Sequence, residues 1–113
     1  MFATMTEGTT EPELNEALDR LWKQFLPQIE ERVATLEAAS QALASGVLSD
    51  EQRDLAHAAA HKLAGILGTF GLTKGTVLAR EAEILYSGDC DPLSAAQLNG
   101  IATELKAIIG GRS

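Results

Sequence analysis

The sequence predicts an all-α protein, an up-and-down antiparallel four-helix bundle with a kinked or split first helix. Three observations lead there. Alanine and leucine dominate a chain with only 4% aromatic residues, a mix that favours helix over sheet. Apolar residues recur at three- and four-residue steps in four segments, and no segment reads well as a strand. The connections are short, so consecutive helices should lie antiparallel.

The first segment runs from about Glu11 to Ala44. Pro12 stands where a first helical turn tolerates proline, and Leu14, Leu18, Leu21, Trp22, Phe25, Ile29, Val33, Leu36 and Leu43 form the apolar stripe. Pro27 interrupts that pattern and predicts a kink or a division into two pieces. The second segment opens at Ser49 with Gln52 at capping-box spacing, and Asp50 and Glu51 suit a helix N-terminus. It ends at Gly71, a natural C-terminal glycine. Thr73 is expected to cap the third helix, which closes at Gly88. Asp91 followed by Pro92 opens the fourth, expected to reach about Ile109, before Gly110 and Gly111. Residues 1–10 read as a flexible lead-in, and 11–113 as one helical domain. The chain is either a free protein or a module of a longer one.

The 113 residues suit one compact domain, and a net charge of -7 without a basic stripe argues against nucleic acid and anionic membrane as partners. No apolar run approaches the ~20 residues that span a bilayer, and the start lacks a signal-peptide core. A single cysteine, Cys90, excludes an internal disulfide and fits a reducing cytoplasm. Trp22 and Phe25 read as core or core-edge residues, Glu30 and Glu31 as a solvated face. Arg80 and Glu83 read as an exposed pair at helical spacing.

The stretch from Ala60 to Leu72, "AHKLAGILGTFGL", carries the functional signal. On a wheel of about 100° per residue, Leu63, Ile66, Leu67 and Phe70 fall on one arc with Ala56, Ala59 and Gln52, the expected core stripe. His61 lies opposite, beside His57, Ala58, Ala64, Gly65 and Gly68, with Lys62 and Thr69 flanking. Helical side chains lean toward the N-terminus, so the residue one turn after His61 is best placed to cover it. That residue is Gly65. The imidazole is therefore expected to stand on a flat surface of small residues, Ala64, Gly65 and Gly68, open to a large partner.

The same stretch resembles the signature of histidine phosphotransfer domains, roughly H-x-L-K-G-x-x-x-x-x-G, with His61, Leu63, Gly65 and Gly71 at matching positions. "GTFG", Gly68 to Gly71, is particularly similar to the phosphotransfer domain of chemotaxis kinases and to modules attached to response regulators. The resemblance implies a phosphorelay carrier. His61 would accept a phosphoryl group from a kinase or a receiver-domain aspartate and pass it to or from a receiver. Lys62, Ala64, Gly65 and Gly68 would form the docking patch, with His57 flanking. It implies no metal, no cofactor and no autonomous kinase activity. One departure stands out: the family usually has lysine three residues after the histidine, and this chain has Ala64. Lys62 is the candidate to serve instead, although it lies about 100° around the helix.

Two other readings use the same residues. His57 and His61 share a helical face and could chelate a metal, but only Asp54 is near to complete the set and the H-E-x-x-H pattern is absent. The small-residue strip around Gly65 could instead dock another helix, giving an interaction or dimerisation module without phosphotransfer. A dimerising kinase domain would carry an acidic residue after the histidine, where Lys62 stands.

Overall fold

The structure, a computed structural model, describes residues 11–112. The lead-in proposed for residues 1–10 lies outside them. Four α-helices follow in order: α1 (Glu11–Ala44), α2 (Asp50–Thr69), α3 (Thr73–Leu85) and α4 (Ala95–Arg112), with a 3₁₀ turn at Pro92–Ser94 before α4. The described residues contain no strand. α1 packs on α2 and α4, and α3 on α2 and α4, so the helices close a ring in chain order. This is the antiparallel up-and-down bundle that short connections dictate.

α1 is one continuous helix with Pro27 inside it, so of the two outcomes expected at this proline, a kink or a division, the division does not occur. Pro27 removes one N–H, but Lys23, Gln24 and Pro27 itself are all exposed, so the freed carbonyl has water to bond. At 34 residues α1 is longer than its partners, which leaves Leu14 and Leu21 of its apolar stripe exposed while Trp22, Ile29, Val33, Leu36 and Leu43 are buried. Trp22 lies edge-on to Phe70 with centroids 5.2 Å apart, and Arg112 stacks over its ring. Arg112 also pairs with Asp19 at 3.0 Å. That anchorage explains why α4 continues through Gly110 and Gly111 instead of stopping near Ile109.

The ends of α2 follow the expected chemistry. Ser49 Oγ accepts a bond from the Gln52 amide at 3.0 Å. Gly71, at φ +74°, takes the left-handed turn, with its N–H on the Gly68 carbonyl and the Leu72 N–H on the Leu67 carbonyl. The reversal lays α3 back along α2. Thr73 is the first residue of α3 and not its cap: Leu72 occupies the cap position and makes no side-chain capping bond. α3 ends at Leu85, three residues short of Gly88. Asp91 caps the 3₁₀ turn through the Leu93 amide.

α2 buries Ala56, Ala59, Ala60, Leu63, Ala64 and Leu67, whereas Ile66 and Phe70 are only half-buried. The buried arc is thus rotated roughly 40° on the wheel from the one expected, toward the side of Ala60 and Ala64. The cause is α3. It covers that flank of α2 so closely that a Cβ on Gly75 would lie 2.9 Å from Leu67 Cδ1.

Candidate functional site

His61 projects from the middle of α2, on the side away from Leu63 and Leu67. Its side chain is 69% exposed, while Leu63 is fully buried. The ring is nevertheless fixed. Nδ1 lies 2.8 Å from Oε2 of Glu83, which reaches across from α3. A carboxylate only accepts, so Nδ1 carries the proton, and the Nε2 lone pair is left facing outward. His57, one turn earlier, brings its Nε2 to 4.0 Å from the same carboxylate oxygen.

Gly65 is as bare as its place on the wheel requires: a Cβ built there would meet nothing within 4 Å. Thr69 turns its hydroxyl onto the Gly65 carbonyl at 3.1 Å, which keeps that side chain against its own helix. Lys62 is exposed on the flank opposite α3. Gly68 is exposed, but it lies at the edge of the α2–α3 seam, where a Cβ would come 3.4 Å from Thr76 Oγ1.

Ala64 does not belong to the surface patch. It is 2% exposed, and its carbonyl accepts a hydrogen bond from Thr76 Oγ1 of α3 at 3.2 Å. α3 covers the flank of α2 on which residue 64 stands, so the flat surface beside His61 reduces to Gly65 with Lys62 and Gly68 at its margins.

Glu83 is the site residue that sequence reasoning missed. The expected pair with Arg80 does not form; Glu83 is turned toward the two histidines. The available signal was the polar stripe Thr76, Arg80, Glu83 and Ser87, at four- and three-residue steps along α3. A polar stripe on a helix that must pack implies a neighbour with polar groups. Asp54, the one acid near the histidines in sequence, lies against Arg53 instead. Among the described residues, no group of three histidine, cysteine or acidic side chains is placed to hold a metal ion.

Residues 20–111 match the family model of the Hpt domain. The chain belongs to the Hpt domain family. These domains are histidine carriers of phosphorelays in two-component signalling, which act with histidine kinases and receiver domains. A relative of this Hpt domain, Protein RcaC of Microchaete diplosiphon, is 37% identical over 71 residues, which cover 63% of this chain and 11% of RcaC. The chain therefore matches a small part of a much longer protein. No solved structure matches it. No helix among the described residues is long and apolar enough to cross a membrane.

Proposed function

We propose that His61 is the phosphoacceptor and that it exchanges a phosphoryl group with the aspartate of a receiver domain. The carrying observation is the His61–Glu83 bond on an open face. It presents a fixed imidazole whose outward nitrogen is a free nucleophile.

In the accepting direction, the Nε2 lone pair attacks the phosphorus of an aspartyl phosphate. The P–N bond forms as the P–O bond breaks, and aspartate leaves as its carboxylate. The imidazole keeps its Nδ1 proton and becomes cationic, and the Glu83 carboxylate offsets that charge. The reverse step, with a receiver aspartate as nucleophile, returns the neutral ring. Glu83 is a positioning residue here: it selects the tautomer and orients the ring. The phosphoryl group arrives already activated on the aspartate, so the proposed role requires no kinase activity of this domain. Gly65 supports the reading, because the space over it lets a receiver's active site close around Nε2. Lys62 and Gly68 border the docking surface and His57 flanks it. The free thiol of Cys90 suits a cytoplasmic location.

The test is transfer from phosphorylated receiver domains of the same organism. The label should be acid-labile and base-stable, as a phosphoramidate is. It should vanish in His61→Gln and persist in His57→Gln. Label that follows His57 would overturn the assignment.

A further inference from the structure

We propose that Arg80, on α3, is the side chain that binds the phosphoryl oxygens once His61 is phosphorylated. The proposal rests on His61 being the acceptor. The accepting site as built has an electrostatic gap. A dianionic group must arrive next to a ring whose fixed partner is the Glu83 carboxylate. The position three residues after His61 holds a buried alanine and supplies no cation. Lys62 stands about 100° around α2 from His61, on the flank that turns away from α3.

Arg80 has the placement that Lys62 lacks. Thr76 reaches the Ala64 carbonyl and Glu83 reaches His61, and Arg80 lies between them on the same stripe of α3. That stripe faces the flank of α2 from which His57 and His61 project. Arg80 lines a groove of ≈ 270 Å³ with His57, Glu83, Ile84 and Ser87, which places its side chain beside the Glu83 carboxylate that holds the His61 ring. It is exposed, and among the described residues it forms no ion pair or hydrogen bond, so its guanidinium is uncommitted. The neighbouring cations differ: Arg53 is engaged by Asp50 and Asp54, and Lys74 by Glu104. A guanidinium can hold two phosphoryl oxygens at once through its planar fork. Arg80 would thereby supply, from a neighbouring helix, the positive charge absent at residue 64.

Phosphoramidate, a small donor that needs no protein partner, tests this directly. Labelling of His61 is measured at low and high salt in wild type, Arg80→Gln, Arg80→Lys and Lys62→Gln. The phosphoryl group of each labelled protein is then titrated by phosphorus NMR. Arg80→Gln should label roughly five- to tenfold more slowly at low salt, with the gap narrowing at high salt, as for an exposed charge pair. Its phosphoryl group should titrate at higher pH than in wild type, because a nearby cation favours the dianion. Arg80→Lys keeps the charge without the fork and should recover part of both effects. Lys62→Gln should slow labelling less than Arg80→Gln and leave the titration of the phosphoryl group at the wild-type pH. Wild-type behaviour of Arg80→Gln in rate and titration, or the same shifts in Lys62→Gln, overturns the proposal and leaves the carrier role intact. A wild-type protein that takes no label on His61 removes both together.

Discussion

Gly65 on α2 and Gly75 on α3 are both helical glycines, and they serve opposite ends. At Gly65 a Cβ would meet open space. At Gly75 it would press on Leu67 Cδ1 at 2.9 Å and Ile108 Cγ2 at 3.6 Å. Each glycine costs its helix about 1 kcal/mol relative to alanine. At Gly75 the close approach of α3 to α2 and α4 offsets that cost. At Gly65 nothing in the fold offsets it, so its explanation has to lie outside the folded chain, in whatever approaches His61. The same division runs along α2 as a whole. The flank under α3, with Ala60, Ala64 and Leu67, is packing. The open flank, with His61 and Gly65, is chemistry.

The largest effects should separate the flanks completely. His61→Gln is expected to abolish phosphoryl uptake with the melting temperature unchanged, since the ring is exposed and its one fixed contact is a solvent-accessible pair. Leu63→Ala should destabilise the domain by about 2–5 kcal/mol, the range for emptying a fully buried leucine site. Chemical denaturation and a labelling assay on both variants check this. A His61→Gln protein that unfolds early would place the histidine in the scaffold and erase the contrast.

The glycine pair gives the next test. Gly75→Leu should cost about 1–3 kcal/mol or more by overpacking against Leu67 and Ile108. Gly65→Leu should fold with unchanged or slightly higher stability, because leucine is the better helix former. Its side chain would lean back over His61. Transfer from a receiver domain should fall steeply, while labelling by phosphoramidate, a far smaller donor, falls less. If Gly65→Leu unfolds the domain, the glycine is a packing residue. If it transfers at the wild-type rate, bare space beside His61 is not what the glycine provides.

Tyr86, buried at the end of α3, probes the packed side by pH. Its hydroxyl has no hydrogen-bond partner among the described residues, and burial, with a smaller push from Cys90, raises its pKa from 10.0 to about 12. The unfolded chain loses this proton from about pH 10, and the folded one only near pH 12. The folded state therefore holds more protons between those values, and stability must fall as pH rises through them, by up to roughly 2–3 kcal/mol. Tyr86→Phe should be as stable as wild type at pH 7 and lose less on going from pH 9 to pH 11. Denaturant midpoints at the three pH values decide it.

Much of this division is legible in the sequence. The four helices, the cap at Ser49, the turn at Gly71 and the outward His61 follow from local patterns of apolar spacing and turn chemistry. What is not legible arises between helices. The wheel orients α2 against one core, but α2 packs against α1 and α3 at once, and the second neighbour buries Ala64. Glu83 is 22 residues from His61, and a local rule pairs it with Arg80. Pro27 looks like a break because periodicity does not say that the freed carbonyl faces water. In each case the missing information is which face a neighbouring helix occupies.

The smallest predicted effect tests whether the two flanks are independent. Thr76 Oγ1 donates to the Ala64 carbonyl at 3.2 Å, tying α3 to α2 on the packed side, one step along the stripe from Arg80 and two from Glu83. Thr76→Val keeps the shape and removes the donor. The carbonyl can still accept along its own helix, so the loss should be about 1 kcal/mol, the net worth of one such bond. If the packed flank only holds the helices in place, the rate of His61 labelling by phosphoramidate stays at the wild-type value despite the lower stability. A fall in labelling rate, measured where both proteins are fully folded, would mean that the Thr76 bond sets the register at which Glu83 meets His61. The packed and chemical sides of α2 would then be a single device, and the contrast between Gly65 and Gly75 would describe where atoms lie but not how the site works.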